Sequence, residues 1–296
     1  MSLNSSADRI SLGLFLGFLG VVMFGGTLPF TRLAVSELSP WFVTFGRASV
    51  AGVLALIILL ALRKRPIVKA NFFRLGMSAI CLVIAFPVFM GIAMQTVPSS
   101  HGGVVLGLMP LATAVFATIF AGEKATFTFW IWSAVGAALV VAFALQDGGT
   151  SFGLGDIWLA IGGLMASLGY AFSGVLSRTM PGWEVISRGL VMSLPVTLTG
   201  AFLTFPDAPQ QISYTAWIGF IYVAFISMFL GFVAWNAGMA LGGVTRVGQL
   251  QLLQTFVTLI IAALLLGEPL SLITWIYAAL ILATVLLGQR ARVSRQ

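Results

Sequence analysis

Charge is what this sequence has least of. Asp, Glu, Lys and Arg make up 8% of its 296 residues, against roughly a quarter in an ordinary soluble domain. So few charges cannot clothe a water-facing surface, which excludes a cytoplasmic enzyme or a free binding module. Cysteine is nearly absent too. The single Cys81 excludes an internal disulfide and a cysteine metal cluster, and its apolar surroundings read as packing. There is one histidine, His101, and no paired carboxylates lie inside any apolar run. Neither a metal site nor an acid–base pair is expected from that set, and no cofactor. Gly-rich stretches occur, but none follows a strand, so a nucleotide site fails on context.

What is present is apolar. Hydrophobic residues are 59% of the chain, and mean hydropathy is +1.08. A helix needs about 20 apolar residues to cross a hydrocarbon core of about 30 Å. Charges and turn residues divide the chain into ten such runs: 11–30, 40–62, 73–95, 100–121, 127–145, 157–176, 185–205, 215–240, 245–266 and 272–287. The first lacks the basic flank of a signal peptide and reads as a retained helix.

The basic residues orient these runs. With ten crossings, both termini share a side with the loops after the even-numbered runs. Arg9, Arg63, Lys64, Arg65, Lys69, Arg74, Lys124, Arg178, Arg246, Arg290, Arg292 and Arg295 fall there, and only Arg32 falls opposite. Basic loops stay cytoplasmic, so both termini are expected inside. The net charge of +7 then reflects loops facing an anionic leaflet rather than a nucleic-acid partner.

An internal repeat is also legible. Shifting Met94–Phe143 by 145 residues onto Met239–Gly288 gives twelve identities without a gap, among them Gly122/Gly267, Glu123/Glu268, Trp130/Trp275 and Ile131/Ile276. Apolar composition alone predicts about five such matches. Pro40 precedes Arg47 by the same step as Pro181 precedes Arg188. A five-helix unit must enter the membrane from opposite sides in its two copies. The expected fold is therefore an all-α membrane protein of ten transmembrane helices, two inverted five-helix repeats over residues 1–147 and 148–296.

Several segments carry a family resemblance: Met23-Phe24-Gly25-Gly26-Thr27, the stretch from Ser39-Pro40-Trp41 to Arg47, Ala121-Gly122-Glu123-Lys124 and Leu266-Gly267-Glu268-Pro269. With two five-helix halves, the chain resembles the drug/metabolite transporter superfamily, in particular its EamA group. Within it the chain looks like the YddG-like exporters of aromatic and other neutral amino acids. The resemblance implies an efflux carrier of the plasma (inner) membrane. It also implies a cavity formed by helices one, three, four, six, eight and nine.

The residues themselves offer candidates for such a cavity. Ser167, Tyr170 and Ser173 share one helical face. Gln251, Gln254, Thr255 and Thr258 form a polar stripe in an apolar run, which is unfavourable against lipid. The stripe either lines a cavity or serves interhelical hydrogen bonds. Phe24, Thr27, Phe86, Met109, Tyr170, Trp235, Gln251 and Gln254 are the expected substrate contacts. Four basic groups are candidate gate or charge contacts: Arg47 and Arg188 within runs, and His101 and Arg246 at their ends. Anchoring and solvated readings compete for all four. Glu123 and Glu268 are expected to cap the helices that follow them. Gly13, Gly17, Gly20, Gly103 and Gly107 have the spacing of close helix packing.

Two function classes remain. One is a secondary transporter of small metabolites, embedded in the bilayer as a monomer or weak homodimer. The other is a non-transporting membrane protein, such as a lipid-modifying enzyme or an assembly factor. The missing acid–base cluster and the repeat favour the first.

Overall fold

The computed structural model describes residues 6–64, 71–120, 123–124, 126–146, 153–176, 179–242, 250, 253–290 and 294–295. The fold is a bundle of apolar helices. Its first rod joins α1 (Ser6–Gly25) to α2 (Thr27–Val35). It is followed by α3 (Pro40–Ala61). A third rod contains α4 (Phe72–Ala79), a π-helical stretch (Ile80–Ala85) and α5 (Phe86–Ala93). Then come α6 (Ser99–Leu106) and α7 (Met109–Phe120), a pair bent by 40°. After α8 (Phe127–Gln146), α9 (Leu154–Leu176) and α10 (Gly182–Leu203) lies a rod made of α11 (Tyr214–Ile221), a second π-helical stretch (Tyr222–Leu230) and α12 (Gly231–Gly242). The last two helices are α13 (Gln254–Leu266) and α14 (Leu272–Arg290). A two-residue antiparallel pairing joins Glu123–Lys124 to Ser294–Arg295.

Six helices among the described residues are long and apolar enough to cross a membrane: Ile10–Val35, Pro40–Ala61, Phe72–Ala93, Leu154–Leu176, Gly182–Leu203 and Tyr214–Trp235. The bent pair α6–α7 forms a broken span or a re-entrant loop, and Phe127–Phe143, Gln254–Leu266 and Leu272–Gly288 are shorter apolar helices. Large apolar side chains such as Phe202, Leu203, Leu264 and Leu272 stand exposed on the outside of the bundle. That surface suits lipid and not water.

The first rod extends past the expected Phe30 to Val35 because Arg32 is not a stop. Its guanidinium donates to the Val97 carbonyl and lies 3.7 Å from Glu268, so the charge is tolerated in the last turn. Helix starts follow local capping chemistry. Ser39 Oγ accepts from Phe42 N at 3.0 Å, with Pro40 in the first turn of α3. Ser213 Oγ likewise accepts from Ala216 N at the start of α11. The two π-helical stretches leave no trace in the composition of their all-apolar runs.

Helix pairing is close where glycine removes the side chain. A Cβ on Gly238 would sit 2.5 Å from the Gly17 nitrogen and 2.8 Å from the Gly13 carbonyl oxygen, so α1 and α12 meet backbone to backbone. Gly103 of α6 and Gly107 just after it also lie close to α13, with notional Cβ atoms 2.8 Å from the Thr258 side chain and 3.0 Å from the Thr255 hydroxyl. Further pairs are α3 with α10, α8 with α14, α2 with α11, and α9 with α4, α5 and α7.

Candidate functional site

Helix breaks converge at the middle of the bundle, and each break frees carbonyl groups that need donors. Gly26 stands at the join of the first rod, where a side chain would collide with the Tyr222 hydroxyl, 2.3 Å from a notional Cβ. The Tyr222 hydroxyl donates to the Met23 carbonyl at 3.0 Å, and Thr258 Oγ1 donates to the Gly25 carbonyl at 2.9 Å. At the α6–α7 bend, Ser167 Oγ donates to the Met109 carbonyl at 3.3 Å. The breaks are thus closed by side chains from the other half of the chain.

Around them lies a partly open cavity, with about 900 Å³ of non-atom space counting its open mouth. Of the expected substrate contacts, Phe24, Thr27, Phe86, Met109, Tyr170 and Gln254 line it. Trp235 does not. It packs on the Gly20 backbone and meets Phe24 edge-on at 6.5 Å, one layer behind the lining. Gln251 lies outside the described residues, as does Arg246. The lining also takes in Leu28, Leu82, Leu106, Ser227, Met228 and Phe232. Leu82 belongs to the first π-helical stretch, and Ser227 and Met228 belong to the second. Such stretches recur at functional sites because they turn side chains out of α-helical register. Thr27 and Ser227 share a buried hydrogen bond of 2.8 Å across the cavity wall.

The four basic candidates separate. Arg47 lines the cavity and is only 4% exposed. Its Nε is buried without an acceptor, and among the described residues it has no ion-pair partner. One turn away on the same α3 face, Thr44 Oγ1 is also buried and unsatisfied. Arg188 lies outside the cavity lining. It binds Glu184 through Nε at 2.9 Å and Nη2 at 2.6 Å, and Lys64 Nζ reaches the same carboxylate at 2.9 Å. Lys64 also lies 5.2 Å from the centroid of the Trp183 ring. This is a closed ion cluster. His101 is buried rather than solvated. Its Nε2 is 2.8 Å from Asp156 Oδ1, and its ring stacks on Phe143. In the sequence the pairing partner, Asp156, is legible only as an acid near a helix start.

Glu268 departs from expectation as well. It caps α6, not the helix that follows it. Its two carboxylate oxygens accept from Ser99 N and Ser100 N, both at 2.8 Å. Gly267 makes this possible: its φ of +64° turns the chain away from α14 at the end of α13. The start of α14 is served instead by Ser271, whose Oγ accepts from Thr274 N at 3.1 Å. Nearby chemistry is similar at Glu37. It accepts from Ser213 N at 2.8 Å and from the Ser213 hydroxyl, and these donors hold its carboxyl below the usual range. The side chain of Glu123 lies outside the described residues.

The profile of the EamA-like transporter family matches this chain twice, over residues 11–145 and 153–288. The chain belongs to the EamA-like transporter family. An EamA-like relative in Bacillus subtilis (strain 168), the uncharacterized transporter YdeK, is 43% identical over 285 residues, covering 96% of this chain and 98% of its own. The uncharacterized inner membrane transporter YedA of Escherichia coli (strain K12) is 28% identical over 280 residues, covering 90% and 87%. A solved structure superposes with a TM-score of 0.65 at 17% identity, covering 95% of this chain and 99% of its own, and so shares the fold. This EamA-like protein is accordingly a multi-pass membrane transporter.

The contrast between Arg47 and Glu184 yields a stability test. An unpaired buried charge destabilises a fold, so Arg47→Met is expected to leave the protein as stable as the parent or stabilise it by about 1 kcal/mol. Glu184→Gln strands Arg188 and Lys64 and is expected to cost about 2 kcal/mol or more. Thermal unfolding of the purified protein in detergent measures both. A loss at Arg47→Met as large as that at Glu184→Gln would make Arg47 a structural anchor.

Proposed function

We propose that this chain is a secondary exporter of small organic solutes, working by alternating access around the central cavity. The supporting observation is where that cavity lies. It is bounded by segments from both family-matched halves, including both π-helical stretches. Sites between inverted halves are the usual transporter arrangement. Helix pairing supports the repeat. Exchanging the halves turns the contact of the first rod with α11 and α12 into that of α9 with α4 and α5, and returns α3–α10 and α8–α14 to themselves. We read the long helices, the bent pair and the shorter apolar helices together as ten crossings in two inverted halves, residues 1–147 and 148–296, with both termini cytoplasmic in the inner membrane.

The solute is of amino-acid size, with an apolar or aromatic body. Phe24, Phe86, Met109 and Phe232 surround the body, while Tyr170, Gln254 and Arg47 offer polar contacts. Aromatic and other neutral amino acids are the first solutes to examine. The described lining holds no Asp, Glu or His, so a carried proton would have no titrating group there. Transport is then facilitated diffusion down the solute's own gradient, with gates at the ends of α6 and α13. An exporter needs no more when its solute accumulates inside the cell.

Orientation is tested by cysteine labelling from outside. Gly148→Cys is expected to react and Val68→Cys to be shielded, and the reverse pattern overturns the topology. The cavity is tested by counterflow in proteoliposomes across a panel of neutral and aromatic amino acids and small organic acids. Tyr170→Ala and Gln254→Ala are each expected to lower the transported solute's rate about tenfold, equivalent to about 1.4 kcal/mol, with the folded yield unchanged. Parent rates in both variants would place the solute elsewhere.

A further inference from the structure

The two arginines of the repeat stand at corresponding positions, each seven residues after a proline at the start of its helix. The helices concerned, α3 and α10, pack on one another. One residue separates their chemistry. Four positions before Arg188 stands Glu184, which neutralises it at 2.6 Å. Four positions before Arg47 stands Val43, a fully apolar residue buried in the core. The half that carries Glu184 keeps its arginine paired away from the cavity. The half that carries Val43 leaves a guanidinium facing the cavity with no counter-charge among the described residues.

We infer that the cavity is built for a small apolar or aromatic monocarboxylate, a solute with one carboxylate and no ammonium group, for which Arg47 is the fixed counter-charge. The inference rests on reading the cavity as the solute site. A carboxylate entering beside Arg47 supplies the kind of ion-pair partner that Glu184 gives Arg188. A guanidinium recognises it with paired hydrogen bonds. An ammonium group finds nothing comparable. It needs a carboxylate or several free carbonyl oxygens. Three of the carbonyls near the breaks already accept a side-chain donor: Met23 from Tyr222, Gly25 from Thr258 and Met109 from Ser167. Thr27 and Ser227 already bond one another. The described lining therefore carries one positive charge and no carboxylate to hold a second cation. The apolar body falls to Phe24, Leu82, Phe86 and Phe232.

An anionic solute also fits the proposed direction of transport. The membrane potential, negative inside, drives an anion outward without any coupled ion.

Three probes of one shape separate the charge classes: phenylpropanoate (anion), L-phenylalanine (zwitterion) and phenethylamine (cation). Binding to the purified full-length protein in detergent at neutral pH is measured by calorimetry. Phenylpropanoate is expected to bind about tenfold or more tightly than phenylalanine, with phenethylamine weakest. Val43→Glu gives Arg47 the same internal partner that Arg188 has. It is expected to weaken phenylpropanoate binding by about tenfold or more, while Val43→Gln, equal in size, stays within about threefold of the parent. If Val43→Glu fails to fold, Arg47→Gln carries the test, with the same loss expected and the preference for the anion abolished. Unchanged phenylpropanoate binding in the folded charge variant overturns the inference. So does phenylalanine binding as tightly as phenylpropanoate. In the latter case loss of phenylalanine binding in Tyr170→Ala leaves the cavity reading standing. If no probe binds, the monocarboxylate inference falls, and the counterflow panel decides the cavity reading separately.

Discussion

An ionised guanidinium held inside an apolar bundle without a carboxylate is the constraint that organises this molecule. Burying such a charge is costly, and folds ordinarily remove the cost by pairing it. Here the cost is tolerated at Arg47, and the surrounding structure holds the residue in place. Ser39 and Pro40 fix the start of α3, and α10 packs along its length. Arg188, at the corresponding step of α10, is instead held by Glu184 at 2.6 Å. On the proposed reading, the charge left unsatisfied in the free protein is an attraction reserved for the solute.

The rest of the polar chemistry is arranged so that nothing else in the middle of the bundle competes for that charge. Beside the breaks, the carbonyls of Met23, Gly25 and Met109 take donors from the other family-matched half. The same device closes one end of the bundle. Pro98 gives α6 no side-chain cap, and Glu268 of the other half caps it while lying 3.7 Å from Arg32. Helix-terminal hydrogen bonds here double as contacts between halves. In the proposed alternating-access cycle, rearranging the halves would exchange specific polar contacts rather than melt secondary structure.

Much of this architecture is legible in the order of residues alone. Scarcity of charge locates the apolar runs, and helix starts such as Pro40, Phe127 and Leu272 lie where those runs begin. The end of the first rod is the exception, because Arg32 looks like a boundary and is not one. A charge bound to Val97 and Glu268 can sit within a helix, and those partners are 65 and more residues away. Long-range pairing also hides the roles of Glu268 and His101. Composition places both at helix ends, but the left-handed turn at Gly267 and the facing Asp156 decide what they bind. Six of the eight expected substrate contacts line the cavity. Aromatic content alone cannot tell Phe24 from Trp235, since the two rings touch and only packing depth separates them. The π-helical stretches shift side-chain register by a local insertion that no periodicity in an all-apolar run reveals. The difference between Val43 and Glu184, by contrast, stands in plain view in the sequence. It acquires meaning only because one arginine is paired and the other is not.

The central claim is that Arg47 meets the solute directly. A crystal structure of the full chain with para-bromophenylpropanoate tests it, because bromine can be located by its anomalous scattering. The account predicts the carboxylate within hydrogen-bond distance of the Arg47 guanidinium, with the bromophenyl ring among Phe24, Phe86 and Phe232. Bromine found instead beside Lys64, Glu184 and Arg188, or outside the cavity, would contradict it.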